Sequence, residues 1–221
     1  MSGRVTSIIL AAGGGKRLGG PKALLLWPAG KGPESPRAGK RELPLAIAHA
    51  EARLASESER VLIIARGPVI RALLGHVRPN LDLIVSDMAD DLGPAGSIAV
   101  AVKRLEDAPL VLITPVDTPP ARPETTARLL ARMDEADAPL AVRPRAGGRA
   151  GHPVLLRPEA LDAYRSASPP VLRDHLRALG PRCVEVDVDD PAVRIDLNTP
   201  ADVMGLLGAP PRFAPVDAPG R

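Results

Sequence analysis

Ile8 to Lys22 reads I-I-L-A-A-G-G-G-K-R-L-G-G-P-K, and the fold follows from this stretch. An apolar run over Thr6 to Ala11 stops at a loop holding Gly13, Gly14, Gly15, Gly19 and Gly20, threaded with Lys16, Arg17 and Lys22. A short continuous apolar run ending in a glycine cluster reads as a buried strand of a sheet covered on both faces. Glycine reaches positive φ without steric cost and lets backbone N–H groups close on a ligand, and concave arrays of such groups bind anions. With Lys16, Arg17 and Lys22 in the same loop, the expected guest is a polyphosphate.

Two familiar glycine loops fail on spacing. A dinucleotide fingerprint starting at Gly13 requires glycine at position 18, which is Leu18, and the Gly-Lys-Ser/Thr of a P-loop is absent nearby. The choice is between a third kind of phosphate loop and a plain glycine-rich surface turn.

Outward from the loop, short apolar runs alternate with helical spacing. Val61 to Ala65, Leu81 to Val85 and Leu110 to Thr114 read as strands; Leu43 to Leu54 and Pro68 to His76 read as helices. That alternation predicts an α/β fold, a mostly parallel sheet with helices on both sides, whose ligands sit at the carboxyl ends of the strands. Gly93 and Gly96 precede a helix expected over Ile98 to Leu105, with Ser97 at its start, and a glycine turn at a helix start offers free N–H groups. Asp117 follows the Leu110 strand in P-V-D-T-P-P, on the same rim as the glycine loop.

Later in the chain, Pro123 to Ala136 reads as an amphipathic helix, Leu140 to Val142 and His152 to Leu156 as strands, with an arginine and glycine loop between them. Glu159 to Tyr164 and Val171 to Leu179 read as helices and Cys183 to Val188 as a strand. Asp196 is expected to end a short strand, ahead of a helix opened by Thr199 as N-cap and Pro200 at its first position. Residues 28–42, turn-rich and basic, are expected to form a mobile insert loop, and 210–221 a disordered tail on a single domain spanning 1–209.

Composition narrows the function classes. Aromatic residues make up 1% of 221, so base stacking is absent, and the net charge of +3 contains no basic run; both argue against a nucleic-acid partner. Cys183 is the one cysteine, so there is neither a disulfide framework nor a cysteine metal site. No apolar run approaches the ~20 residues that span a bilayer, so no membrane partner and a cytoplasmic location are expected. A monomer or weak homo-oligomer is the expected state.

L-A-A-G-G-G-K-R-L-G-G-P-K resembles the signature L-A-[AG]-G-x-S-x-R-[ML]-G-x-x-K of the MobA-like nucleotidyltransferases, which include guanylyl- and cytidylyltransferases of the molybdenum cofactor. The resemblance covers about Val5 to Leu207 and implies a three-layer α/β/α Rossmann-like nucleotidyltransferase fold. It gives Leu10, Ala11, Ala12, Gly13, Gly14 and Gly15 to the nucleotide, and Arg17 and Lys22 to its phosphates. Gly15 stands where the family has serine. Gly96 and Ser97 match a nucleoside-binding segment, and Asp117 matches the magnesium aspartate of [LA]-x-D-x-P. D-L-N-T-P is similar to the family's D-[IL]-[DN]-T-P, which makes Asp196 the second Mg2+ ligand.

Gly151-His152-Pro153-Val154-Leu155 is similar to the G-H-P-V-L motif of the cytidylyltransferase branch, so Arg149, Gly151, His152 and Pro153 are candidates for contact with a phosphorylated small-molecule acceptor. The family's G-D-x-G-x-R between the two late helices is missing; this chain has Ser168-Pro169-Pro170. The activity so implied moves an NMP group from CTP, or from GTP, to the acceptor, molybdopterin first, with Arg17, Lys22 and Asp117 as catalytic residues. A sugar-1-phosphate or small-alcohol-phosphate nucleotidyltransferase, and an inactive nucleotide-binding regulator, are the alternatives.

Overall fold

The computed structural model describes residues 5–28, 42–86, 89–105 and 110–216. The apolar run ahead of the glycine loop is strand β1 (Val5–Leu10), held between two parallel partners, β4 (Ser58–Ala65) and β6 (Leu110–Pro115). Strand β5 (Leu81–Val85) pairs parallel with β4 at one edge. On the other side the sheet reverses once. Strand β9 (Val154–Leu156) runs antiparallel to both β6 and β7 (Ala141–Ala146), and β10 (Cys183–Asp187) closes that edge parallel to β7. The order is β10-β7-β9-β6-β1-β4-β5, with β8 (Arg149–Ala150) folded back on β7.

Successive residues of a strand serve opposite faces, and β1 shows why its run is apolar throughout. Ile9 packs with helices α1 (Leu45–Leu54) and α2 (Gly67–Leu73) on one face, while Ile8 packs with α3 (Ala89–Val102) and α5 (Leu172–Ala178) on the other. Both isoleucines are fully buried, which stabilises the fold by about 1.5–3 kcal/mol each. Helix α4 (Pro123–Met133) puts Leu129 and Met133 against Leu112 of β6, and α6 (Pro200–Leu207) adds Val203 to the Ile9 side. The result is three layers, α/β/α, around a mostly parallel sheet.

Several expectations need correction. Ala89–Val102 is two helices joined at a kink at Gly93, whose φ of 55° and ψ of −140° suit only glycine; the helix that carries Ser97 begins just after this glycine turn, and Gly96 and Ser97 lie in its first turn and not ahead of it. The arginine and glycine stretch after Val142 is no open loop: β7 continues through Arg145, and Gly147 and Gly148, both at positive φ, form a hairpin turn into β8. Pro158–Arg165 is a 3-10 helix. Asp196 lies in irregular chain beyond the 3-10 turn Pro191–Arg194, because no neighbouring strand is there to pair with it.

The start of the expected tail is packed. Leu26 N donates to Arg212 O at 2.7 Å, Ala214 N donates to Leu24 O at 2.8 Å, and Phe213 joins the Ile9 side of the core. The apolar contacts of Phe213, Ala214 and Val216 offset the ordering cost that a Pro- and Ala-rich composition alone predicts will win. The insert expected over 28–42 lies outside the described residues except at its ends, where β2 (Leu26–Pro28) and β3 (Glu42–Pro44) pair antiparallel. Among the described residues no helix is long and apolar enough to cross a membrane.

Candidate functional site

Beyond β1 the chain stays in the sheet for one more residue, with Ala11 N donating to Ile64 O at 2.8 Å, and then closes on itself. Gly15 has φ of 60°, and its carbonyl accepts from Leu18 N at 2.9 Å and Gly19 N at 3.1 Å. A Cβ at Gly15 would stand 1.8 Å from the Gly20 carbonyl oxygen. That contact explains why glycine occupies the position where the resembling signature has serine: in this loop a side chain has no room. Arg66 braces the loop from β4's end, its Nε donating to Ala12 O at 2.9 Å.

The neighbouring strand delivers Asp117. Val116 N donates to Leu10 O at 3.0 Å, so the end of β6 is tied to the end of β1 and Asp117 emerges beside the glycine loop. Lys22 Nζ donates to Asp117 Oδ2 at 2.9 Å and to Asn198 Oδ1 at 2.6 Å, and Leu197 N donates to Asp117 O at 2.7 Å. Three separated segments are thereby joined. Asp196 has its carboxyl pushed above the usual carboxylate range by partial burial and by the negative charge of Asp117, with Lys22 pulling the other way. Carboxylate oxygens are the kind of ligand that a hard divalent cation takes. Among the described residues no group of three or more His, Cys, Asp or Glu side chains is placed to hold a metal, so these two stand without a third protein carboxylate.

Helix α6 fixes Asn198. Thr199 and Asp202 form a capping box, and Asp202 Oδ2 also accepts from Asn198 N at 2.9 Å. A buried polar floor holds the Asp117 turn from below. His49 Nε2 donates to Thr118 O at 2.8 Å, and Arg53, paired with Glu57 at 3.0 Å, donates to Ala121 O. Asp190 accepts from Arg122 N, Thr125 Oγ1 and Ala192 N, joining that turn to the chain that leads to Asp196. Burial holds the His49 imidazole at a pKa of about 4 and lowers that of Arg53, against the opposing pull of Glu57. Sequence reasoning missed this floor. Its only signal was His49 and Arg53 one helical turn apart among the apolar residues of α1.

The reversed strand completes the site. Because β9 is antiparallel to β6, its beginning rather than its end lies at the rim, and Gly151 and His152 arrive beside Asp117. His152 N donates to Val193 O at 2.9 Å, and a Cβ at Gly151 would come within 2.0 Å of that same oxygen. The His152–Pro153 bond is cis. His152 Nδ1 is sealed from solvent without a partner, as is Arg143 Nε, while Arg143 Nη2 donates to Glu185 at 2.6 Å. Burial lowers the His152 pKa to about 4, with Asp117 opposing and Arg143 reinforcing the shift, so the ring is neutral at physiological pH.

These parts line one cleft of about 680 Å³. It brings together Leu10, Ala12, Gly13, Gly15, Arg17, Lys22, Ser97, Asp117, Arg149, Gly151, His152 and Asp196 from the sequence-based candidates. Ala11, Gly14, Gly96 and Pro153 are not on its wall: Ala11 and Pro153 are buried in the sheet's margin and Gly96 within α3. Lining residues that the sequence did not single out include Arg66, Arg173 and Arg194. The cleft can therefore hold a multiply charged anion against backbone amides and cations on the β1 side, and another against arginines on the β7 side.

The comparisons with known proteins agree with this architecture. Curated protein sequences yield no match. The structure resembles that of Rv0371c from Mycobacterium tuberculosis H37Rv in complex with manganese (TM-score 0.64, 20% identity, 95% of this chain and 100% of that one). It also resembles 4-diphosphocytidyl-2C-methyl-D-erythritol synthase from Anaerococcus prevotii (TM-score 0.67, 13% identity, covering 94% and 96%). A third likeness is to molybdopterin-guanine dinucleotide biosynthesis protein A from Archaeoglobus fulgidus (TM-score 0.61, 18% identity, covering 92% and 97%). At these identities the likenesses establish the fold. The family model described as the MobA-like NTP transferase domain matches residues 7–183, most of the chain and both the glycine loop and Asp117; the protein belongs to that nucleotidyltransferase family.

Proposed function

We propose that this protein transfers a nucleoside monophosphate, CMP in preference to GMP, from the triphosphate to a phosphorylated small-molecule acceptor, molybdopterin first, and releases pyrophosphate. The observation that carries this reading is the Lys22 ammonium bonded at once to Asp117 and Asn198, at the mouth of the glycine loop. It joins the triphosphate loop to both candidate metal-binding segments. Leu10-Ala11-Ala12-Gly13 and the Gly151-His152-Pro153-Val154 run favour cytidine.

An ionised phosphate oxygen of the acceptor attacks the α-phosphorus; a new P–O bond forms as the bond to the bridging oxygen breaks, and pyrophosphate departs with the electron pair. The nucleophile is already charged, so no side chain need remove a proton. Positioning and charge stabilisation supply the rate. Amides of Gly13 to Gly15 with Arg17 and Lys22 hold the triphosphate and neutralise its oxygens. Arg149 and neutral His152 orient the acceptor, the imidazole offering a hydrogen bond without adding charge. Asp117 and Asp196 hold magnesium, which when bound supplies further charge neutralisation at the reacting phosphates.

A small-alcohol-phosphate acceptor is the second reading. Arg143, Arg149, Arg173 and Arg194 on the cleft wall suit any compact phosphate ester, and the Anaerococcus synthase shares the fold. The test is to incubate the protein with each of four NTPs, magnesium, and either molybdopterin or a panel of phosphosugars and phosphoalcohols, and to measure pyrophosphate. One pair turning over identifies the substrates. NTP binding without turnover on any acceptor favours an inactive regulator instead.

A further inference from the structure

We infer that Phe213, at the end of the chain, is a positioning residue for the glycine loop and so tunes the affinity for the triphosphate. The inference rests on the proposed role of that loop. Gly20 has no side chain, and the phenyl ring of Phe213 occupies the space: a Cβ at Gly20 would meet three ring carbons at 3.0 to 3.1 Å. The Gly20 carbonyl in turn lies against Gly15, where a Cβ would stand 1.8 Å away, and the Gly15 carbonyl receives the N–H groups of Leu18 and Gly19. Ring, Gly20 and Gly15 form a continuous stack from the C-terminal segment into the loop. Close-packed stacks transmit displacement because they cannot compress.

The segment that carries the ring is itself anchored. Arg212 O accepts from Leu26 N at 2.7 Å, Ala214 N donates to Leu24 O at 2.8 Å, and Arg212 pairs with Glu42 at the base of the β2–β3 ribbon. Leu24 ends the same 3-10 turn that Lys22 begins, so the short stretch that the segment braces also carries the lysine bonded to Asp117. Phe213 is the one phenylalanine in the chain. A loop that must hold its backbone in register against an anion gains from a ring pressed on one of its glycines.

The experiment uses the full chain and measures CTP and GTP binding with magnesium by calorimetry, beside thermal melting. Phe213→Ala should weaken binding about tenfold at temperatures well below its melting point, and Phe213→Leu should restore most of it. Gly20→Ala should weaken binding as well, by pushing from the other side. In the Phe213→Ala background the Gly20→Ala effect should shrink, because the added methyl then has space, giving a non-additive cycle. Unchanged affinity in folded Phe213→Ala, or strictly additive effects, overturns the inference. Lys22→Ala and Arg17→Ala separate the two levels: if neither weakens NTP binding, the loop is not the triphosphate site and the proposed function fails first. If both do and Phe213→Ala does not, only the positioning role is lost.

Discussion

The two sides of the cleft are built from different kinds of groups. On the β1 side the wall is a self-closed glycine loop with Lys16, Arg17 and Lys22, set at the end of a buried parallel strand. On the β7 side the groups are arginine side chains on β7 and its hairpin, in the first turn of α5 and on the 3-10 turn Pro191–Arg194, gathered around a strand that runs backwards. Backbone donors are fixed as soon as the loop is folded and lose little entropy on binding; arginines must be ordered one at a time but can be exchanged for another acceptor's shape. Under the proposed function the β1 side takes the part of the reaction that does not vary, the triphosphate, and the β7 side the part that does.

The largest effect tests what both sides share. Asp117→Ala should lower turnover about 10³-fold while the protein keeps its cooperative melt, since the side chain is partly exposed and carries no core packing. Turnover near the parent value, measured as pyrophosphate release, would remove Asp117 from the mechanism and leave the two sides without a common centre.

The floor beneath Asp117 gives the next effect. His49 is fully buried and neutral, with a folded pKa of about 4 against 6.5 when unfolded. Its contribution is complete above pH 6.5 and is lost as pH falls toward 4, because the unfolded chain takes up a proton that the folded chain refuses. The loss amounts to about 3 kcal/mol across that window. His152 shifts in the same direction and adds to it. Denaturant titrations at several pH values should show this decline, and His49→Gln, which keeps a donor for Thr118 O, should flatten it.

The glycine side is sharpened by Gly15→Ser, which rebuilds the family's residue in this chain. Positive φ alone should cost about 1–2 kcal/mol of stability, and displacement of the Gly20 carbonyl should add to that and weaken NTP binding. Gly148→Ala on the other side also sits at positive φ but points into open space, so it should cost stability without touching NTP affinity. Equal loss of NTP affinity in both variants would erase the contrast. The smallest effect probes the arginine side: Arg143→Ala should raise the KM for the acceptor about tenfold and leave NTP binding unchanged. A change in NTP affinity instead would mean that the nucleotide extends across the cleft.

Much of the fold was legible in particular residues. Ile8 and Ile9 face opposite layers, as an unbroken apolar run before a glycine loop requires, and Leu110 to Pro115 repeats the pattern one strand over with Asp117 at its end. The Thr199 cap was readable because capping is local. The arginine hairpin was misread as a loop, since Gly147-Gly148 turns and loops share their composition and only pairing with β8 separates them. The C-terminal segment was misread for a related reason: composition records what a segment would do alone, and Phe213 is not alone.

Short-range chemistry therefore sufficed for the strand and the glycine loop, because each depends on neighbours within a few positions of the chain. Only tertiary structure decided that β9 runs backwards and brings His152 to the rim, that His49, Arg53 and Asp190 underpin Asp117, and that a ring near the C-terminus presses on Gly20. Those are contacts between residues far apart in sequence, set by strand order and by which buried polar groups find a partner, and no local pattern encodes them.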